Sequence, residues 1–260
     1  GQITWGESRI RSDIWVVEDV DGFHIEPHTN PNAPNLAGAV PDSNQFGLLQ
    51  TLSIAYIGGG ISTGKGVKLL PRRVIGAREW NTAEDYTIDE IVYVEIDEVN
   101  GDYAYYKAIA DYTATDYVGG LDLPSDYPLF FEEYSSNNWN GESWGVDRTL
   151  VQGFDIGYDI GFASKFTFES PFAKGCLSIG YWLHTATNNC LNGNNISSID
   201  NPLGISIENA QGMLLGLGDF ANTALGVSVT SGNVSITGGE LESYTDAFLH
   251  VGGIGTVQMT

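Results

Sequence analysis

The sequence predicts a mainly β protein whose last third coils into a right-handed parallel β-helix. Three observations predict it. The first is a series of apolar triplets one coil apart: Ile205-Ser206-Ile207, then Val227-Ser228-Val229 after 22 residues, then Phe248-Leu249-His250 after another 21. A second series runs beside it, Met213-Leu214-Leu215, Val234-Ser235-Ile236 and Val257-Gln258-Met259, at steps of 21 and 23. Each triplet alternates in, out, in, as a strand with one buried face does. The second observation is the punctuation between triplets by Asn209, Gly212, Gly218, Asn222, Gly226, Gly232-Asn233, Gly238-Gly239 and Gly252-Gly253, residue types that favour turns. The third is composition: 33 glycines and 13 tyrosines among 260 residues leave few helix formers, so the class is mainly β. Strands and glycine turns repeating every ~20–25 residues are the signature of solenoid rungs.

Taken in order, residues 1–77 form a β-rich segment with Ile14-Trp15-Val16-Val17 and Phe23-His24-Ile25 as strand candidates. A connector rich in proline and asparagine follows from Pro27 to Pro41. Gly47 to Ile57 is apolar and fits either a strand pair or one buried helix, because its periodicity favours neither. Gly58-Gly59-Gly60 then breaks the chain. The stretch from Gly59 to Lys65 imitates a phosphate-binding loop. Gly66, however, stands where a Ser or Thr hydroxyl should meet magnesium, and no βαβ pattern surrounds it, so it reads as a flexible turn. Residues 78–145 are a compositional island dense in tyrosine, aspartate and tryptophan. Residues 146–260 are β-rich again: Phe154 to Phe168 alternates aromatic and aliphatic residues with glycine, and Gly175 to Leu183 reads as a strand pair. The rungs proper occupy about 195–260.

A formal net charge of −22 with only 11 lysines and arginines leaves no basic stripe to displace counterions from phosphates. That argues against nucleic-acid binding and, equally, against anionic membrane surfaces. No apolar run approaches the roughly 18 residues of a membrane span, so no membrane insertion is expected. The charge suits a self-repelling solvated surface, or sites that collect divalent cations. Cys176 and Cys190 could close one loop in an oxidising setting, or serve as two buried thiols. Gly1-Gln2-Ile3-Thr4 carries neither an initiator methionine nor a leader, and Val257-Gln258-Met259-Thr260 stops inside the strand pattern. The expectation is a piece of a longer polypeptide.

Within the island, Val92, Val94 and Ile96 alternate against Tyr103, Tyr105 and Lys107 across Asn100-Gly101, the arrangement of a β-hairpin. Aromatic rings with nearby Asp and Asn suit carbohydrate, whose flat faces stack on rings while carboxylates and amides take the hydroxyls. The island resembles the small chitin-binding type-3-like carbohydrate-binding modules. Their pattern is an aromatic, then Tyr-x-x-Gly-Asp-x-Val-x-Tyr, a turn, and Tyr-x-Ala. Trp80, Tyr86, Val92, Tyr106 and Ala108 fall in step; Asp89-Glu90 replaces the Gly-Asp pair, the hairpin is longer, and the closing tryptophan is Trp139 or Trp144. The resemblance spans about a quarter of the chain. It implies a small β-sandwich or hairpin module that grips sugar through Trp80, Tyr86, Tyr105 and Trp139. The alternative is that these rings form the mini-core of a small domain.

A carbohydrate-module-like insert beside a β-helix resembles the tailspikes and tail fibres of bacteriophages. That likeness is one of architecture, and a fold alone carries no activity. It implies a homotrimer in a virion tail or other extracellular setting, with bacterial surface glycan and other tail proteins as partners; the alternatives are a polysaccharide depolymerase, glycosidase or lyase, on the β-helix, and a purely structural filament or tail component whose aromatics serve packing alone. Were it a depolymerase, paired carboxylates would do the chemistry. The rung acids are Asp200, Glu208, Asp219, Glu240, Glu242 and Asp246. Glu240 and Glu242 would share a strand face, with Asp219 or Asp246 opposing them from a neighbouring rung; otherwise all are solvated corner acids. His24, Glu26 and His28 would face one side of a strand, a pattern for metal or for structure, and Pro27 forbids the helix of a metalloprotease motif. Asp97, Asn100 and Asp102 could hold calcium around Gly101, or form a simple acidic turn; no other cofactor is expected.

Overall fold

A computed structural model describes residues 12–25, 28–29, 47–69, 73–74, 76–97, 102–134, 144–161, 166–184, 191–208 and 210–259. The main body is a parallel β-solenoid with three walls. Its about four closely spaced turns run from Thr167 to Met259, along the partners Thr167↔Asn192, Asn192↔Leu214, Leu214↔Ser235 and Ser235↔Gln258. The first wall stacks Phe23–Ile25, Lys65–Leu69, Ile156–Gly161, Ile179–His184 and Leu203–Ile207, then the first part of Leu225–Glu242 and of Ala247–Met259. The second stacks Ser12–Val16, Leu52–Tyr56, Leu150–Gln152 and Phe172–Lys174 on the later halves of Asn192–Ile199 and Ala210–Ala221. The third stacks Gly47–Gln50, Trp144–Asp147 and Thr167–Glu169 on the earlier halves of those same two strands.

Alternation puts one side of each wall inside. Val67, Tyr158, Tyr181, Ile205 and Val227 line the first wall, Ile54, Val151, Ala173 and Phe220 the second, and Leu49, Val146, Phe168, Leu215 and Ile236 the third, all in one buried core. Burying a side chain of this size contributes about 1.5–3 kcal/mol, and each rung repeats the gain at the same three places. Tyr158 and Tyr181 stack with centroids 4.8 Å apart and planes 4° from parallel, while Phe168 meets both edge-on. Their hydroxyls are not orphaned: Tyr158 donates to the Thr149 carbonyl at 2.6 Å and Tyr181 to that of Ser197 at 2.8 Å.

Two devices bend the chain at its corners. Between the third and second walls a single left-handed residue recurs, Thr51, Arg148, Ser170 and Asn195; between the second and first come Gly153, Gly175, Asp200, Asn222 and Ser243. A non-glycine residue there costs about 1–2 kcal/mol, least for Asn and Asp. The cost is offset because each corner N–H continues the ladder, as Arg148 does to the Glu169 carbonyl and Asp200 to that of Ala221. The second device is a glycine column at the entry to the first wall. A Cβ on Gly66, Gly157, Gly180 or Gly204 would lie 2.8, 2.5, 2.7 or 2.4 Å from the carbonyl oxygen of the next residue in the column, which only glycine allows.

The structure thus extends the coil well before residue 195. Gly175 to Leu183 holds one strand, not a pair: Ile179–His184 lies on the first wall, and Gly175 is the corner that follows Phe172–Lys174 on the second. Gly47 to Ile57 is two strands, on different walls, split by Thr51. The triplet in step with Val227 is Leu249-His250-Val251, one residue later than the sequence spacing proposes. Phe248 instead packs beside Gly226, at the foot of the glycine column.

The island enters between consecutive strands of the first and third walls and forms its own four-stranded sheet in the order Phe131–Glu133, Asp102–Ala108, Ile91–Asp97, Arg78–Glu79. Of the sandwich and hairpin forms open to the sequence, the hairpin is present. Its register differs by one: Tyr105 pairs with Tyr93 and Tyr106 with Val92, so Val92 and Val94 lie on the face opposite Tyr103 and Tyr105. Both faces are apolar. Tyr86, Val92, Ala108, Tyr112, Tyr127 and Phe131 cluster on one, Ile91 and Tyr105 with Tyr93, Tyr103 and Tyr134 on the other.

Candidate functional site

A cleft of about 440 Å³ lies on the island, lined by Glu79, Trp80, Asn81, Thr82, Glu84 and Asp122. Parallel pairing of Arg78–Glu79 with Ile91–Asp97 brings Trp80 to the sheet edge, where its N–H bonds the Tyr93 carbonyl at 2.9 Å. The half-buried indole stacks on Tyr86 at 5.1 Å and meets Phe131 edge-on at 5.0 Å. Its Nε1–H donates to the Asp122 carbonyl at 2.8 Å, tying the loop after Ala114–Asp116 to the strand. A turn from Asn81 to Glu84 closes the other side, with the Glu84 N–H on the Asn81 carbonyl. Arg78 lies 4.9 Å over the Tyr86 ring and bonds Glu84 and Glu90; the Glu84 bond, then that of Glu90, raises the guanidinium pKa despite desolvation. Glu90 is lowered by the Thr87 N–H and by Arg78. The result is an aromatic wall bordered by carboxylates, able to stack on a ring and accept hydrogen bonds from hydroxyls or ammonium groups.

All five residues in step with the carbohydrate-module pattern meet in one place: Tyr86, Val92 and Ala108 are buried together, with Trp80 and Tyr106 packed against them. The nominated sugar contacts fare differently. Trp80 lines the cleft. Tyr86 is 1% exposed and Tyr105 4%, so neither ring offers a face to a ligand, and both are corrected to core residues. Tyr86 instead acts through its hydroxyl, which accepts from the Asn81 N–H at 2.7 Å and shapes the cleft turn. Trp139 and the side chain of Trp144 lie outside the described residues.

Among the acids, Asp219 and Glu240 are register partners on adjacent rungs and both are exposed; Glu242 pairs with Ala221, and Asp246 sits on the turn before Ala247–Met259. Glu26, Asn100, and the side chains of His28, Asp97 and Asp102 lie outside the described residues. His24 bonds Asp21 at 2.6 Å. Among the described residues no group of three His, Cys, Asp or Glu side chains could hold a metal ion. Cys176 is a buried free thiol, pushed up to about 12 by desolvation; Cys190 lies outside the described residues. In the phosphate-loop imitation, the amides of Thr63 and Lys65 are already taken by the carboxylates of Asp19 and Asp21, each at 2.6 Å. The protein's own anions fill the place a phosphate would need.

Sequence reasoning missed a polar ladder on the outer side of the first wall. Lys68, Asp159, Trp182, Ser206, Ser228 and His250 are successive register partners there. Asp159 and His184, 4% and 6% exposed, are bonded at 2.6 Å, and Trp182 stacks on His184 at 3.9 Å while donating to Glu208 at 3.1 Å. Gly161 seats the imidazole, since a Cβ there would lie 2.9 Å from it. The rung step of 22–25 residues, applied to polar rather than apolar positions, would have found this column. Asp159 with His184, Trp182 and Ser206 with Glu208, and Ser228 with His250 satisfy one another, which marks this part of the column as a brace along the wall.

Comparison with protein-family models, with curated proteins and with solved structures gives no match.

Proposed function

We propose that this chain is a subunit of a phage-type tail fibre or tailspike that binds bacterial surface polysaccharide, the solenoid serving as a stiff mount and the island as the sugar grip. The observation that carries the reading is the cleft at Trp80, an indole bordered by hydroxyl-accepting carboxylates, on a module inserted into a parallel β-solenoid. Indole faces stack on the axial hydrogens of sugars, and convergent polar groups fix orientation. Assembly into a homotrimer belongs to the same reading. Trp15, 69% exposed, lies with exposed Val17 and Ile57 on the first rungs, an apolar surface of the kind a neighbouring chain covers. The test is an array of bacterial polysaccharides probed with the intact chain, with Trp80→Ala and with Thr82→Trp, which fills the cleft. Binding that both substitutions abolish, with the tyrosine near-ultraviolet dichroism intact, supports the reading; binding unchanged in both removes the cleft from it.

One observation favours a second reading, a polysaccharide depolymerase. Asp219 and Glu240 are exposed register partners on neighbouring rungs, whose backbones lie about 4.8 Å apart, so two carboxylates are presented side by side, as the acid and nucleophile of a retaining glycosidase must be. Release of oligosaccharides from capsular polysaccharide, abolished by Asp219→Asn and Glu240→Gln, is its expected outcome; no release by the intact chain excludes it.

A further inference from the structure

We infer that the Trp80 cleft takes a sugar bearing a protonated amine and rejects a carboxylated one. This rests on the carbohydrate reading and narrows it to a substrate class. The lining holds three carboxylates, Glu79, Glu84 and Asp122, of which Glu84 is paired with Arg78 and the other two have no cationic partner among the described residues, and it holds no cationic side chain. The nearest guanidinium, Arg78, is committed to Glu84, Glu90 and the Tyr86 ring, so a uronate or sialate would meet like charge with no free partner. Asp122 accepts from the Tyr117 hydroxyl through Oδ1 at 2.9 Å, which steadies its carboxylate beside the indole. The Glu79 carboxylate is exposed at the end of its strand, with no hydrogen-bond or ion-pair partner among the described residues. An ammonium group set against Trp80 gains both the carboxylates and the negative π face, the pairing that aromatic cation sites use. The overall charge of −22 acts in the same direction, concentrating cations and repelling polyanions.

The experiment titrates the intact chain at low salt with three tetrasaccharides of equal length: an N-acetylhexosamine, the same sugar with free amines, and a hexuronic acid. The free-amine sugar is expected to bind about tenfold tighter than its acetylated form, and the uronate not at all. That preference should fall to about threefold in Glu79→Gln, disappear above the pKa of the sugar amine, and shrink with added salt as surface ion pairs do. Equal or tighter binding of the acetylated sugar or the uronate would overturn the charge selection and leave the carbohydrate reading standing. Binding of none of the three, or of other polysaccharides on the array, would overturn both.

Discussion

The solenoid and the island solve the same problem, burying enough surface to hold a chain together, by opposite means. The solenoid repeats one small unit, so each wall needs only an aliphatic or aromatic residue once per turn, a left-handed corner, and glycine in one column. The island has short strands and long irregular segments, and its core is a nest of tyrosines. Tyrosine hydroxyls there replace the missing ladder. Tyr127 donates to the Leu121 carbonyl at 2.8 Å and accepts from the Val118 N–H at 3.1 Å, and Tyr112 reaches the Thr82 carbonyl. Phenols let one side chain fill a core and satisfy loop backbone together. A region built so can hold an unusual loop shape, such as the Trp80 cleft, on a scaffold that is otherwise monotonous.

The sharpest way to break this contrast is to make one substitution in both places. Gly204→Ala sets a Cβ 2.4 Å from the Gly226 carbonyl oxygen, inside a backbone stack that cannot give. The expected cost is about 3 kcal/mol or more, a drop in Tm of roughly 6–12 °C. Gly119→Ala in the island meets nothing within 4 Å, and its Tm should stay within about 2 °C of the parent. Equal drops would refute the glycine column as the solenoid's constraint.

Next in size is Tyr86→Phe, which keeps the ring and removes the hydroxyl that bonds the Asn81 N–H. It should destabilise the island by about 1–2 kcal/mol and loosen the Asn81–Glu84 turn, read as faster amide exchange there. Thr223→Val works in the other direction. The Thr223 Oγ1 is buried without a hydrogen-bond partner among the described residues, so its removal should leave the solenoid unchanged or about 1 kcal/mol more stable. A loss above 1 kcal/mol would mean the hydroxyl is bonded after all.

The smallest effect is on pH. Desolvation pushes Asp21 up, but the bonds from His24 and the Lys65 N–H, with the charges of His24 and Lys68, together outweigh it and leave the carboxyl lowered, and Asp19 is lowered first by the Thr63 N–H. Carboxylates lowered in the folded state stabilise it fully above their unfolded value near 3.8 and lose that contribution as pH falls through the lower folded values. The Tm of Asp21→Asn should therefore fall less steeply than the parent's between pH 5 and pH 2.

What the sequence made legible follows the same division. Ile205-Ser206-Ile207 and Met213-Leu214-Leu215 announce a parallel coil because one apolar residue per turn is all a wall asks. The earlier rungs were hidden by interruption: Val67 pairs with Tyr158 across the whole island, so no local window holds the repeat. Phe248 misled by one position because an aromatic beside the glycine column looks like a wall residue. In the island, Trp80, Tyr86 and Val92 were legible as a set, but which ring faces inward depends on the hairpin register, and alternation alone cannot fix register where both faces are apolar. The Asp159–His184 brace was missed because two residues 25 apart meet only once the coil exists.

The proposed contact at Trp80 is tested most directly by the indole N–H resonance of Trp80, assigned with Trp80→Phe, during titration with a polysaccharide fragment. Binding in the cleft should shift this signal to saturation together with the amides of Asn81, Thr82 and Asp122, while the Trp182 indole stays fixed. A saturating ligand that moves Trp182 or the solenoid amides and leaves Trp80 in place would contradict it.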